Sequence, residues 1–163
     1  MREKEKSSRP VDWAEGAVLR NKDKVFRTAL AIMGSMADAE DVSQEAFLKL
    51  LEKQPDFESE EHEAAWLIRV TVNLCKNLLR SFWRKNTSPL LETHPAKNDE
   101  QHGLAEIVYS LPPKYRTVIH LFYYEGYSTK EISKITGQKE PTVRSHLSRA
   151  RQALRNYLGG KHQ

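Results

Sequence analysis

The amino-acid sequence predicts an all-α fold: two small helical domains joined by a flexible linker, the C-terminal one containing a helix-turn-helix. Apolar residues recur at spacings of three and four along most of the 163 residues, which is the period of an amphipathic helix. No alternating apolar pattern is long enough to predict a strand. The stretch NTSPLLETHPAKNDEQHG contains two prolines, a glycine and few core-forming residues, as a linker does. These features divide the chain into residues 1–85, a linker at 86–103, and residues 104–163.

The composition is that of a soluble protein, with 39% hydrophobic and 29% charged residues. No apolar run approaches the roughly 20 residues that span a bilayer, and the N-terminal MREKEKSSRP lacks the apolar stretch of a signal peptide. We therefore expect a cytoplasmic protein without membrane insertion. The single cysteine, Cys75, cannot form an internal disulfide, and we expect it to be a small buried residue of the core.

Two helices are predicted before Pro55. The first ends near Met33, and the second is capped by either Ser35 or Asp38, because both side chains accept hydrogen bonds from the free amides at a helix start. Pro55 ends the second helix because it has no amide donor. The residues predicted to form the core of these helices are Val18, Leu19, Val25, Phe26, Ala29, Leu30, Met33, Val42, Ala46, Phe47, Leu50 and Leu51.

Charge is sharply divided between two neighbouring segments. Residues 35–63 contain ten acidic residues and two lysines, whereas residues 64–85 contain five basic residues, two tryptophans and no acid. The acidic segment would repel DNA phosphates, so it either faces solvent or meets a basic protein surface. The basic segment, AAWLIRVTVNLCKNLLRSFWRK, is predicted to be a helix.

The basic helix carries two stripes. The apolar stripe, predicted to face the core, consists of Leu67, Val70, Leu74, Leu78 and Phe82. The polar stripe consists of Trp66, Arg69, Asn73, Lys76, Arg80 and Trp83. Cations neutralise phosphates and aromatic rings stack on unpaired bases, so the polar stripe favours single-stranded nucleic acid. The alternative is that the tryptophans belong to the core and the basic residues form a solvated face.

Local signals in the second half predict a helix-turn-helix. A helix from about Lys114 to Tyr124 is expected to end at Gly126. Next, Ser128 and Glu131 form a capping box for a short helix at residues 129–136, in which Ile132 and Ile135 are expected to be buried. Gly137 then permits a left-handed turn, and Pro141 suits the first turn of the last helix. Two helices joined by such a turn form a helix-turn-helix.

The last helix has an apolar side and a basic side. Its predicted buried stripe is Val143, Leu147, Ala150 and Leu154. The residues off that stripe are Thr142, Arg144, Ser145, His146, Ser148, Arg149, Arg151 and Arg155, and no acid follows Glu140. Arginines and hydroxyls suit the major groove of DNA, and His146 is expected to face solvent or phosphate. The alternative is an ordinary helical hairpin with a solvated basic face.

No enzyme site is expected. The six histidines, His62, His94, His102, His120, His146 and His162, form no metal-ligand spacing, and no nucleophile is paired with a base. The sequence therefore predicts no catalytic residues, no metal and no cofactor.

In this order, the segments resemble bacterial RNA polymerase sigma factors of the extracytoplasmic-function (ECF) class of the sigma-70 family. The resemblance covers about residues 15–158. DAEDVSQEAFLKLL resembles region 2.2, which binds core RNA polymerase. AAWLIRVTVNLCKNLLR resembles the W-L-x-R-I-A-x-N signature and basic helix that melt and read the −10 element. LPPKYRTVIHLFYYEGYSTKEISKITGQKEPTVRSHLSRARQAL resembles region 4, whose helix-turn-helix reads the −35 element.

The resemblance implies a transcription initiation factor with three sets of contact residues. Those implied to bind core polymerase are Asp38, Asp41, Gln44, Glu45, Phe47 and Leu48. Those implied to bind single-stranded −10 DNA are Trp66, Arg69, Asn73, Lys76 and Arg80. Those implied to bind duplex −35 promoter DNA are Arg144, Ser145, Ser148 and Arg149.

The resemblance also implies a base-capturing loop and an inhibitor. The loop from about Asp56 to Glu63 matches the segment that captures a flipped base in this family, although here it is acidic: Glu58, Glu60, Glu61 and Glu63 are expected where DNA would come close. An anti-sigma factor is a further implied partner. The alternative function is a helix-turn-helix regulator that binds operator DNA without polymerase, which would leave the acidic helix and the aromatic basic helix unexplained.

Overall fold

The computed structural model describes residues 11–85 and 104–161, and all regular structure in these two ranges is helical. We call residues 11–85 the N-terminal half and residues 104–161 the C-terminal half. The N-terminal half contains α1 (Val11–Met33), α2 (Met36–Lys53) and α3 (Glu60–Lys85). The C-terminal half contains α4 (Leu104–Tyr109), α5 (Pro113–Ile119), α6 (Thr129–Thr136) and α7 (Glu140–Lys161), and a π-helical turn (His120–Tyr124) continues α5. The predicted all-α fold is confirmed for the described residues, and the predicted linker at 86–103 lies outside them.

Helix α2 begins and ends as its sequence predicts. The Ser35 hydroxyl oxygen accepts a hydrogen bond from the Asp38 amide at 3.3 Å, so Ser35 is the cap and Asp38 lies in the first turn. At the other end, Gln54 adopts a left-handed conformation with φ of 43°, and its amide donates to the Leu50 carbonyl. Pro55 follows directly, where no helical amide is needed.

Helix α3 is longer than predicted and is buried on two sides. It begins at Glu60 rather than Ala64, so part of the predicted acidic loop is its first turn. Leu67 is buried as predicted, but Ile68 and Val72 are buried as well, because that side of α3 packs against the C-terminal half. Cys75 is buried, and burial raises the pKa of its thiol to about 12.

For two residues of the first helices, the prediction that they lie in the core is wrong. Leu19 of α1 is 65% exposed and Leu51 of α2 is 43% exposed. Both lie at the edge of an apolar stripe, where the helical period alone does not decide whether a residue faces the core or the solvent.

Two clusters of buried apolar residues hold the described part of the chain together. The smaller cluster lies within the N-terminal half and consists of Ala17, Val25, Ala46, Leu50 and Leu67. The larger cluster combines residues of both halves, including Ile32, Ile68 and Val72 on one side and Val118, Ile132 and Ile135 on the other. The halves therefore pack directly against each other, an arrangement that the sequence does not predict.

The helix-turn-helix forms as predicted. The Ser128 hydroxyl and the Glu131 carboxylate complete the capping box of α6. Gly137 ends α6 with a φ of 75°, a left-handed conformation that favours glycine. Ile132, Ile135 and the α7 residues Val143, Leu147 and Ala150 are buried, and Leu154 is partly buried. Among the described helices, none is apolar over a length sufficient to cross a membrane.

Candidate nucleic-acid and protein interfaces

Helix α7 presents the four predicted −35 residues on one side. Arg144, Ser145, Ser148 and Arg149 are all exposed, while Leu147 on the opposite side is buried. The surface is held in place at the start of the helix. There, one Arg144 guanidinium nitrogen lies 3.4 Å from a Glu140 carboxylate oxygen, and the Thr129 hydroxyl donates to the same oxygen at 2.9 Å. A rigid helix with exposed arginine and hydroxyl groups is the form in which proteins read a major groove.

The prediction that His146 faces solvent or phosphate is wrong. Its side chain is buried, and its ring packs edge-on against Tyr115 with 5.5 Å between ring centroids. Burial lowers the pKa of the imidazole, and the positive charges of Lys114 and Arg149 lower it further. The side chain is therefore neutral and belongs to the packing beneath α7. The helical period places His146 at the edge of the apolar stripe.

Helix α3 exposes part of its predicted −10 surface. Arg69, Asn73 and Arg80 are exposed along one side of the helix. Trp66 is half-buried, because its ring packs against Phe57 with 5.9 Å between centroids and against the smaller cluster. The exposed residues supply charge and an amide at helical spacing, which fits contact with a nucleic-acid backbone and unpaired bases.

The C-terminal half covers Lys76, the fifth residue of this predicted surface. The Lys76 ammonium donates a 2.7 Å hydrogen bond to the Thr136 carbonyl at the end of α6. Burial lowers the pKa of this ammonium, and the charge of Arg80 lowers it further. Lys76 therefore serves the contact between the halves in this arrangement and cannot at the same time bind DNA.

Glu63 does not face DNA, contrary to the expectation from the acidic loop. Its carboxylate is buried and accepts hydrogen bonds from Arg20 at 3.0 and 2.9 Å and from Asn21 at 2.8 Å. Burial raises the pKa of this carboxyl, but the hydrogen bonds from Arg20 and Asn21 hold it below its usual value. Glu63 is thus a structural residue that ties α3 to α1, whereas Glu58, Glu60 and Glu61 are exposed.

A cavity of about 530 Å³ lies between the remaining loop and α1. Its walls include the Phe57 ring, Trp13 and the acidic side chains of Glu58 and Glu60. Its volume lies within the range of small-molecule pockets, roughly 300–1,000 Å³.

Helix α2 presents a mixed acidic and apolar surface. Asp41, Gln44, Glu45 and Leu48 are exposed, and Leu48 has 56% of its surface accessible. Asp38 is half-buried. Phe47, another of the six residues predicted to bind core polymerase, packs against the smaller cluster. Its main contribution is therefore to hold α2 in position. Apolar side chains among acids suit a protein partner with a basic rim better than they suit DNA.

Comparison with known proteins accounts for both halves. The sequence model of Sigma-70 region 2 matches residues 17–85, and that of Sigma-70, region 4 matches residues 103–154. The ECF RNA polymerase sigma-E factor of Escherichia coli (strain K12) is 33% identical over 139 residues, which cover 73% of this chain and 73% of the relative. The chain belongs to the ECF class of the sigma-70 family. We use the name region 2 for α1–α3 and the name region 4 for α4–α7, the helices on which the two matches lie.

Other relatives agree with this membership. ECF RNA polymerase sigma factor SigE of Mycolicibacterium smegmatis is 36% identical over 159 residues, covering 90% of this chain. The chain spans 61% of that relative's length, and only 37% of a Xanthomonas campestris relative at 30% identity. ECF RNA polymerase sigma factor SigW of Bacillus subtilis is 28% identical, and 84% of its length is covered.

Two solved structures have the same fold. One is the sigma factor RpoE in complex with the anti-sigma factor NepR from Bartonella quintana, with a TM-score of 0.70, 24% identity, and coverage of 89% of this chain and 96% of that one. The other is CnrH in complex with the cytosolic domain of CnrY, with a TM-score of 0.71, 23% identity, and coverage of 96% and 94%.

Sequence reasoning missed the polar residues that join distant helices. Arg20 and Asn21 bind Glu63 across 43 and 42 positions of the chain, and Glu125 binds Arg27 across 98 positions. No spacing rule connects residues so far apart. The one available signal is that a carboxylate on the buried side of a predicted helix requires a partner.

Proposed function

We propose that this chain is an ECF-type sigma factor that binds core RNA polymerase and directs promoter-specific transcription initiation. The observation that carries the proposal is that one chain contains region 2 and region 4 in order, each with an exposed surface suited to its part of a promoter. A regulator that binds only duplex DNA needs the helix-turn-helix but has no use for the acidic surface of α2.

Region 4 is proposed to hold the duplex −35 element. The exposed arginines of α7 match the pair of acceptors on a guanine edge, and the exposed serines suit bases or phosphates. Arg144, Ser145, Ser148 and Arg149 are the proposed contact residues. Buried His146 is not among them. Its ring packs against Tyr115 and so helps to position α7.

Region 2 is proposed to hold the opened −10 element. Arg69, Asn73 and Arg80 contact the single strand, and Lys76 joins them once region 4 has moved away from it. Trp66 contributes the part of its ring that faces outward. Unstacking a base costs a few kcal/mol, and stacking with charge neutralisation offsets that cost. The cavity beside Phe57 is the proposed receptor for a flipped base.

The acidic surface of α2 is proposed to bind core polymerase. Asp41, Gln44, Glu45 and Leu48 make the contact, with Asp38 at its edge. Phe47 keeps the helix in position. The acids steer the chain towards a basic surface, and the exposed Leu48 supplies apolar area that binding removes from water.

The proposed role also implies where the chain acts, what kind of protein inhibits it, and that it is not an enzyme. Promoter DNA and polymerase are in the bacterial cytoplasm, so we place the chain there. One similar solved structure contains the anti-sigma factor NepR and the other contains the cytosolic domain of CnrY, and we propose an anti-sigma factor as a partner of the present chain. The chain itself catalyses no reaction, because polymerase performs the chemistry.

Transcription reconstituted from purified parts tests the proposal. The chain is added to bacterial core polymerase and a library of random promoter sequences, and the transcripts are sequenced. The proposal expects shared start sites preceded by two common elements. The double variant Arg144→Ala, Arg149→Ala is expected to lose the upstream element alone. DNA binding without any initiation would instead identify a polymerase-independent helix-turn-helix regulator.

A further inference from the structure

A buried carboxylate joins the two halves of the chain. Glu125 follows the π-helical turn of region 4, and its side chain is only 1% exposed. Two Arg27 nitrogens of α1 donate to its two oxygens at 2.9 and 3.0 Å. The His120 ring nitrogen lies 2.8 Å from one of those oxygens, and the Lys24 ammonium lies 4.0 Å from the other. A carboxylate excluded from water to this extent requires such partners.

Aromatic rings close around this ion cluster. The His120 ring stacks on Tyr124 at 5.1 Å between centroids, and the Arg27 guanidinium lies 5.3 Å from the centre of the same tyrosine ring. The Thr28 hydroxyl of α1 is 3.2 Å from the His120 ring nitrogen. The cluster thus contains groups of both halves and depends on their relative position to within about an ångström, since hydrogen bonds weaken steeply with distance and angle.

A second polar contact supports the same arrangement. Arg116 of α5 is buried, and its guanidinium donates to the Ala31 carbonyl at 3.1 Å and to the Ile32 carbonyl. These carbonyls lie in the last turn of α1, where no intrahelical amide is available and the helix dipole favours a cation. Arg116 also donates to the Leu111 carbonyl at 2.8 Å within its own half, so part of its bonding survives separation of the halves.

The packed arrangement conflicts with the proposed function of region 2. Lys76 is held by the Thr136 carbonyl, and Ile68 and Val72 of the same helix lie in the larger cluster shared with region 4. Region 4 must therefore leave α3 before the whole −10 surface can bind DNA. Whatever stabilises the packed arrangement lowers the fraction of molecules that can present the whole −10 surface to DNA.

We propose that the contact of Glu125 with Arg27 is an intramolecular latch that keeps the free chain in a closed, self-inhibited arrangement. Its regulatory meaning rests on the proposed function, but the closed arrangement itself does not. Arg27 is the informative side of the latch. Without Arg27, Glu125 stays buried in the closed arrangement beside fewer cations. In the open arrangement water solvates the Glu125 carboxylate. Loss of the Arg27 guanidinium therefore destabilises the closed arrangement alone.

The test compares Arg27→Ala with Lys22→Ala in the full chain. Both changes remove one positive charge from α1, but Lys22 is exposed and outside the ion cluster. Cysteines replace the exposed Glu15 of α1 and the exposed Lys134 of α6, and each carries a spin label. Pulsed electron paramagnetic resonance then measures the distance between the two labels, and so between the halves. Native Cys75 is replaced by alanine in every variant, because it lies in the larger cluster that opening of the halves would uncover.

The latch predicts a larger open population in one variant only. In Arg27→Ala the ratio of long to short distances is expected to rise by about 10-fold, and the Kd of the free chain for a single-stranded −10 oligonucleotide is expected to fall by up to the same factor. Lys22→Ala is expected to match the unsubstituted chain in both. If Arg27→Ala loses helical circular dichroism, Glu125→Gln in region 4 is measured in its place, and it is expected to raise the ratio of long to short distances as well. Identical distance distributions for the folded latch variant and the unsubstituted chain would overturn the proposal.

The two proposals fail in different ways. If the unsubstituted chain does not bind core polymerase, the proposed function is wrong, while the distance measurement still decides whether the latch exists. If it binds polymerase and the latch variant changes neither the distances nor the affinity for the single-stranded −10 oligonucleotide, the latch is wrong and the proposed function stands.

Discussion

The substitution Glu63→Ala separates a structural glutamate from one that meets DNA. The change removes three hydrogen bonds at one carboxylate, two from Arg20 and one from Asn21. The Arg20 side chain is 39% exposed, so water replaces most of its loss, and its share is about 0–1 kcal/mol. Asn21 is buried and loses a partner, which costs about 1–3 kcal/mol. We expect a total destabilisation of about 1–4 kcal/mol.

Thermal unfolding followed by circular dichroism measures this loss. For a chain of this size, each kcal/mol lowers Tm by roughly 2–4 °C, so the expected drop is roughly 2–16 °C. Glu61→Ala is the matched control, because Glu61 is an exposed glutamate in the same turn, and it is expected to change stability by less than about 0.5 kcal/mol. Equal melting of the two variants, with altered −10 preference in Glu63→Ala, would refute the structural role of Glu63.

Three further predictions concern the other surfaces. Arg149→Ala is expected to weaken binding to the preferred −35 duplex by about 1–3 kcal/mol, or 5- to 150-fold; in a fluorescence titration, an equal loss on shuffled DNA would assign Arg149 to phosphate instead. Leu48→Ala is expected to weaken core-polymerase binding by roughly 10-fold without lowering Tm. Leu19→Ala, at a similarly exposed leucine of α1, is expected to leave the affinity unchanged, and similar losses in both variants would contradict a specific contact at Leu48. Burial raises the pKa of Glu125, but the hydrogen bonds with His120 and Arg27 hold it at about 2. Its contribution to stability is therefore full above its usual pKa and is lost as pH falls towards 2. In urea titrations across that window, the stability difference between the unsubstituted chain and Glu125→Gln should shrink, and a constant difference would contradict the ion cluster.

The helix-turn-helix was predictable because its signals are local. Ser128 and Glu131 are three positions apart, and Gly137 fixes the turn by its own backbone preference. Each of these residues acts on the few amides next to it in sequence, so a short stretch contains the whole cause. Local signals also predicted that α2 begins at Ser35 or Asp38 and ends at Pro55, and in the structure Ser35 is the cap.

The packing of the two halves was not predictable for the opposite reason. Helical period predicted the Leu67 side of α3 as core but gave no sign that Val72 would meet region 4. The contact of Arg116 with the Ile32 carbonyl joins positions 84 apart, and neither residue type requires the other. His146 was misplaced because a residue at the edge of a stripe is buried or exposed according to its neighbour, here Tyr115.

Association with core polymerase is the most direct test of the assigned function, because a regulator that acts on DNA alone has no need of it. The purified full chain is mixed with bacterial core polymerase lacking a specificity subunit and passed through a size-exclusion column. We expect the two to co-elute as a stoichiometric complex that forms less readily when Leu48 is changed to Ala. Separate elution of the two under conditions where an authentic sigma factor binds the same core preparation would contradict the assigned function.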